Sequence, residues 1–490
     1  MPERLAGFPG AGWLALVGAA FVVVLAPLGF GRESLAGLPL DTIVLTVPIA
    51  ILLAVPLLTR TGRAGIPRIG IEVPASVFLG WALLSAIATG AQPGVLATWA
   101  RYASYVVLVY AVATVTADAG RRRVLLWLIA IAGSATVVQG FMQYINPTAG
   151  IGMQGLDTSV ATRVFATFDN PNFYAEYLVL LFAVTLALLF VERGPLRYVA
   201  AALLSAQAIA LLLTYTRGSW LALVLGIAIA LLMIDGRLIW PFVLGGSALL
   251  PLAPGAMARM LSVFSLEGTA SFRLKLWEVA GIAMAKRPLF GMGMGRFYDA
   301  FKDAVLNSSQ LNVGVLIYGA HNSYFQLGAE IGVVGMIAFA WFVLEACRMG
   351  VFYNRRMGAD LRARLANAAL TAGLVAFAIN ALTSNAFQHP RGAVFFFVLA
   401  GVQAGLGMEY WRSPSTATSA QRQSANVWTR SLIGRAFTAA ARGLSLMWQV
   451  SAFHHVVVRE PEGGGHLLAD SLIARWLFGN GVRHEDSVSA

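Results

Sequence analysis

The chain has 490 residues, 58% of them hydrophobic and only 12% charged, with a mean hydropathy of +0.72. These values exclude a water-soluble globular protein and make lipid the solvent. A formal net charge of +12 would fit a nucleic-acid partner, but the cations are scattered between apolar runs instead of gathered on one soluble domain, so membrane topology accounts for most of them.

Apolar runs recur along most of the chain, each long enough to cross about 30 Å of hydrocarbon as a helix. They predict spans at 12–30, 39–58, 72–90, 98–116, 124–144, 172–191, 198–216, 219–234, 238–253, 323–345, 365–385 and 393–410. The expected fold is therefore an all-α polytopic membrane protein of about twelve transmembrane helices. The first run is too long for a signal peptide and no small-x-small cleavage site follows it, so it reads as a retained helix. The single cysteine, Cys347, excludes an internal disulfide and a cysteine-based metal cluster.

Alternate loops carry the arginines: Arg60, Arg63 and Arg68; Arg121, Arg122 and Arg123; Arg193 and Arg197; Arg237; then Arg348, Arg355, Arg356, Arg362 and Arg364. By the positive-inside rule this set is cytoplasmic, which predicts an inner-membrane protein with both termini inside. The transmembrane domain then covers 1–411. Three segments fall on the periplasmic side: a loop from Asn146 to Pro171, a turn at Arg217, and a long loop over about 254–322. Long connections in compact proteins tend to carry function. The long loop holds Arg259, Arg273, Lys275, Lys286, Arg287, Arg296 and Lys302, and cations kept outside call for an anionic ligand. After Trp411 the composition turns to Ser, Thr, Gln and Arg, which predicts a cytoplasmic tail over 412–490. Within it, 428–450 has the pattern of an amphipathic helix lying on an anionic leaflet, with a weakly ordered tail as the alternative.

Four groups of residues carry candidate chemistry. Arg217 sits where an outward-going helix turns back into the membrane, and an arginine placed centrally there costs roughly 2.5 kcal/mol or more. A snorkelling interfacial arginine is the plainer alternative. The stretch 271–286 reads as an amphipathic helix in the outer loop, with Arg273 and Trp277 four apart on one face and Lys275 turned about 200° away. Arg273 is the better phosphate ligand of the two cations, because a planar guanidinium grips phosphate oxygens in pairs. Gly291-Met-Gly-Met-Gly295 is read as a tight glycine turn and not as a dinucleotide fingerprint, because no strand precedes it. His321 opens the tenth span, where the positive end of the helix dipole favours a neutral imidazole able to accept a proton. Glu330, nine residues on, is about half a turn out of phase with His321, so it is a candidate for positioning. No Asp-x-Asp or His-x-x-x-His pattern is present, and no metal site is expected.

Taken together, these blocks resemble the O-antigen ligase and O-antigen polymerase superfamily of membrane glycosyltransferases. The resemblance runs over roughly Val160 to Phe397. It comprises Phe168-Asp-Asn-Pro-Asn-Phe-Tyr-Ala175, Thr216-Arg-Gly-Ser-Trp-Leu-Ala-Leu223, Arg273-Leu-Lys-Leu-Trp277 leading to Arg287-Pro-Leu-Phe-Gly-Met-Gly-Met-Gly295, and His321-Asn-Ser-Tyr with Glu330 and Gly332. The resemblance implies a multispanning fold with a large periplasmic loop. It also implies functional roles for Arg217, Arg273 and His321, with Asn172 and Asn322 as further positioning candidates. The implied substrates are glycans on undecaprenyl diphosphate, transferred to the lipid A core by ligases or to another repeat unit by polymerases. No cofactor and no nucleic acid are expected. The residues themselves supply a mechanism: arginines neutralise a departing diphosphate without metal, and His321 either takes the proton of an attacking hydroxyl or orients that hydroxyl, in a single displacement that inverts the anomeric carbon. The rival from another class is a transporter or flippase of lipid-linked glycans. No inverted repeat relates the halves, and the candidate site lies at the outer edge instead of the midplane.

Overall fold

In a computed structural model, the residues described are 9–27, 34–35, 38–39, 69–146, 163–168, 170–249, 269–306 and 319–411. The chain over these residues is a bundle of helices: α1 (Pro9–Leu25), α2 (Glu72–Ala88), α3 (Pro93–Thr116), α4 (Ala119–Ile145), α5 (Pro171–Val191), α6 (Pro195–Leu213), α7 (Arg217–Ile234), α8 (Ile239–Leu249), α9 (Thr269–Lys286), α10 (Phe297–Leu306), α11 (Ser323–Arg356), α12 (Leu361–Asn380) and α13 (Pro390–Trp411). The only strands described are Ser34–Leu35 and Leu38–Pro39, paired antiparallel with two residues each. Eight of the helices (α3, α4, α5, α6, α7, α11, α12 and α13) are long and apolar enough to cross a membrane, which makes this a polytopic membrane protein. α1 and α2 are shorter apolar helices. The span expected at 39–58, the tail at 412–490 and its helix at 428–450 lie outside the described residues.

Element ends follow local chemistry. Proline takes the first turn of α3, α5 and α6, where its missing N–H costs nothing. Asp118, Asn170, Asn322 and Asp360 cap α4, α5, α11 and α12 by accepting backbone N–H bonds. The expected span at 323–345 continues to Arg356, so Arg348, Arg355 and Arg356 are on the helix instead of in a loop.

Packing follows membrane rules, in which close approach and interhelical hydrogen bonds replace the hydrophobic drive. α12 packs between α5 and α7, and α13 lies along α3. On α13, Gly401 and Gly405 are four apart and face Val109, Val112, Ala113 and Thr116 of α3, with no room for a side chain. Buried polar groups cross-link the interior: Asn367 Nδ2 donates to the Gly350 carbonyl at 2.7 Å and Gln403 Nε2 to Thr371 Oγ1 at 2.6 Å.

The feature that shapes the site is a break in α11. A helix of 34 residues would run about 51 Å unbroken, at 1.5 Å per residue. It is interrupted at Gly332, whose φ of 79° and ψ of 170° are non-helical. The backbone groups released there are taken up by the Pro288–Gly295 turn. Met292 N donates to the Ala329 carbonyl, Gly293 N to that of Glu330, and Val333 N to that of Pro288. Trp81 Nε1 donates to the Leu289 and Ile331 carbonyls. Within a membrane such a break is tolerated only where these bonds are replaced. Gly291, Gly293 and Gly295 all have positive φ, which only glycine adopts without strain. A Cβ on Gly332 would meet the Leu289 carbonyl oxygen at 2.0 Å. Gly332→Ala should therefore destabilise the fold by about 3 kcal/mol. Gly281→Ala, in open space on α9, should leave the thermal midpoint of the purified protein unchanged or raise it.

Candidate functional site

One end of the bundle gathers the N-termini of α5, α7, α11 and α13 with the C-terminus of α12, and the predicted residues are found there. Arg217 is the first residue of α7, after a turn in which Tyr215 adopts a left-handed φ of 51°. That turn is held by Arg163, whose Nε donates to the Thr214 carbonyl at 2.8 Å and whose Nη2 donates to Asn172 Oδ1 at 3.0 Å and Thr216 Oγ1 at 3.1 Å. Asn380 Nδ2 donates to Ser219 Oγ at 2.8 Å, which ties the first turn of α7 to the end of α12. Asn172 therefore acts through the Arg217 turn, as a brace.

Arg273 comes from α9, outside the spans, on the half-buried side of that helix, while Lys275 is exposed. Trp277, one turn on, meets the Phe325 ring edge-on at 5.7 Å and has a buried indole N–H with no acceptor. Lys286, at the end of α9, pairs with Asp303 of α10 at 2.8 Å.

His321 is held in a left-handed conformation, φ 48°, immediately before α11. A non-glycine residue there is strained unless its surroundings hold it. The hold is visible. Asn322 Oδ1 caps α11 by accepting from Tyr324 N and Phe325 N, both at 3.0 Å. Ser323 is clamped by the loop between α12 and α13: its N donates to the Ala381 carbonyl, its Oγ donates to the Ser384 carbonyl at 3.1 Å and accepts from Phe387 N at 3.1 Å, and Gln388 Nε2 donates to its carbonyl at 3.2 Å.

Three residues far apart in sequence thus share one electrostatic neighbourhood. Burial and then the charge of Arg217 lower the Arg273 guanidinium below its usual range, opposed by Glu176. Burial, and after it Arg273, push His321 down to about 4. The sequence reading traced a neutral imidazole to the helix dipole; the largest cause acting on His321 is instead desolvation, which penalises the charged ring.

Glu330 is placed differently from the other three. Its Oε2 accepts from Gly295 N at 2.9 Å and its Oε1 from Gln326 Nε2 at 3.0 Å, so its carboxylate secures the glycine turn against the broken helix. Its link to His321 is indirect, through Gln326 Oε1, which accepts from Ala320 N at 3.3 Å.

The site also holds residues that motif reading passed over. Glu176 on α5 is only 1% exposed, neither carboxylate oxygen has a hydrogen-bond partner, and it interacts electrostatically with Arg273. The Ser384 hydroxyl faces it without closing a bond. The span expected at 365–385 ends as α12 at Asn380, so 381–385 belongs with 386–389 to a loop. The rule that singled out Arg217, that charge within an apolar span is costly, applies equally to Glu176. Nothing local marks the loop, because its role comes from the clamp on Ser323. Among the described residues no group of three or more His, Cys, Asp or Glu side chains is arranged to hold a metal ion.

Residues 199–340 match the family described as O-antigen ligase. The match takes in Arg217, Arg273 and His321 with their motif blocks, and leaves the 168–175 block outside. A Haemophilus influenzae protein, described only as uncharacterized, is 36% identical over 73 residues, which is 15% of this chain and 18% of that one. The matched segment thus spans less than a fifth of that relative's length.

Proposed function

We propose, from the match of residues 199–340 to the family described as O-antigen ligase, that this chain is an inner-membrane glycosyltransferase of the O-antigen ligase and polymerase superfamily, working on the periplasmic side. It moves a glycan from undecaprenyl diphosphate to an acceptor hydroxyl, in the ligase manner, with the lipid A core as acceptor. The observation that carries this reading is the convergence of Arg217, Arg273 and His321 at one end of the bundle, with each charge felt by the next.

The acceptor oxygen attacks the anomeric carbon while the bond from that carbon to the diphosphate oxygen breaks, and the electron pair leaves on the phosphate. Two guanidiniums meet the charge that develops there, and an anion bound between them offsets their mutual repulsion. Diphosphate departs as a stable anion, so no acid is needed, and the reading requires no metal. The acceptor proton passes to His321. An imidazolium beside Arg273 is disfavoured in the empty site, and diphosphate bound between them offsets that repulsion. A single displacement of this kind inverts the anomeric centre.

Deleting the gene and resolving the surface polysaccharide by gel tests the reading. Loss of all glycan attached to the core supports a ligase, whereas cores still bearing one repeat but no long chains indicate a repeat-unit polymerase, the alternative within the same chemistry. Purified protein that moves a lipid-linked glycan across vesicles without forming a glycosidic bond would instead make it a flippase.

A further inference from the structure

Glu176 is a fully buried carboxylate without a hydrogen-bond donor to either oxygen. Such a group is rare, because an unmatched buried acceptor forfeits its hydration, and its persistence needs an explanation. Glu176 does not stand alone. The loop it faces carries Ser384, 4% exposed with its Oγ unbonded, and further buried acceptors without partners in Asn385 Oδ1 and Gln388 Oε1. The Gln388 amide orientation is set by its Nε2, which donates to the Ser323 carbonyl, so its oxygen is the end left over. This is the loop that clamps Ser323, two residues from His321.

The chemistry of these atoms limits what fits them. Asn385 Oδ1 and Gln388 Oε1 are acceptors only, Glu176 offers two more acceptors when ionised, and the Ser384 hydroxyl can give or accept. A phosphate, itself an acceptor, would repel the carboxylate. An apolar chain would leave every one unmatched. A surface of acceptors calls for a ligand rich in O–H donors, and vicinal sugar hydroxyls offer pairs of donors to a single carboxylate. Arg273 interacts with Glu176 and with His321, which places a carbohydrate subsite beside the diphosphate side of the site.

We propose that Glu176, with Ser384, Asn385 and Gln388, forms a saccharide subsite that binds sugar hydroxyls next to His321. The proposal rests on the glycosyltransferase reading for which sugar occupies it, donor glycan or acceptor, and the test separates the two. It does not rest on that reading for the binding of sugar itself.

The test uses full-length protein in nanodiscs and three probes: the oligosaccharide released from the donor lipid by mild acid, the free core oligosaccharide, and inorganic pyrophosphate. Binding is read by calorimetry for the wild type, Glu176→Gln and Asn385→Ala. The glutamine variant keeps the shape of Glu176 and removes two acceptor positions' charge, and the Asn385 variant covers the case in which the first does not fold. One of the two oligosaccharides should lose tenfold or more in affinity in both variants, while pyrophosphate changes less than threefold. Loss for the core oligosaccharide marks an acceptor subsite, and loss for the donor-derived one a donor subsite. Wild-type affinity for both oligosaccharides in both variants would overturn the proposal. So would an equal loss for pyrophosphate, since Glu176 would then act only by holding Arg273. If sugar binding behaves as stated and no glycosidic bond is ever formed, the subsite stands and the transferase reading falls.

Discussion

Arg273→Ala is expected to lower glycosyl transfer from a lipid-linked oligosaccharide by about 10² or more, with the protein still folded. The guanidinium comes from α9, outside the spans, where burial and then Arg217 disfavour its charge and Glu176 favours it, and a bound anion would favour it further. Charge develops on the diphosphate as its bond to the sugar lengthens, so the arginines act more strongly in the transition state than on the bound substrate. The loss should therefore fall on kcat as well as on KM. Arg273→Lys keeps the charge and loses the paired geometry, so about a tenfold defect is expected. Lys275→Ala, two residues on and exposed, should stay within threefold of the wild type. Turnover of the purified variants measures all three, and unchanged turnover for Arg273→Ala would remove the proposed mechanism.

His321→Ala should cost about 10² to 10⁴ in turnover, the range for a lost general base. The pH profile separates a base from a spectator. His321 is held at about 4, below its ordinary 6.5, by burial and by Arg273. Activity needs the neutral ring, so kcat/KM, which reports the free enzyme, should be flat near neutrality and fall as pH drops through about 4. Diphosphate bound beside the ring favours imidazolium, so the same limb in kcat should sit at higher pH. In Arg273→Gln the lowering charge is gone, and the kcat/KM limb should move up. Stability carries the same sign. The unfolded chain binds the His321 proton more readily than the folded one between about 4 and 6.5, so the stabilisation is complete above 6.5 and is lost as pH falls towards 4. Thermal midpoints across that window should fall less steeply for His321→Gln than for the wild type.

Much of the site was legible because charge in an apolar setting stands out. Arg217 and His321 mark the ends of apolar runs, helical phase put Arg273 and Lys275 on different faces, and guanidinium chemistry favoured Arg273, which is half-buried where Lys275 is exposed. Glu330 was legible as unusual, but its partners were not. The carboxylate reaches Gly295, thirty-five positions away in sequence, across a break in α11 that only the paired geometry of Gly291, Gly293 and Gly332 produces. The ninth expected span, 238–253, is described as α8 over Ile239–Leu249, after a 3₁₀ turn at Gly236–Leu238, and its residues 250–253 lie outside the described residues.

By itself, the sequence determined the solvent and the helical class, and it singled out the three groups proposed to carry charge or a proton, because burial of a charge in lipid costs too much to occur without cause. Only the tertiary structure decided which of those groups meet. It brought Arg217, Arg273 and His321 into one electrostatic neighbourhood, set Glu330 to hold the glycine turn, and added Glu176 and the loop 381–389. Local patterns cannot report such a meeting, because the clamp on Ser323 and the brace at Thr214 join residues 61 and 51 positions apart and depend on how the helices pack.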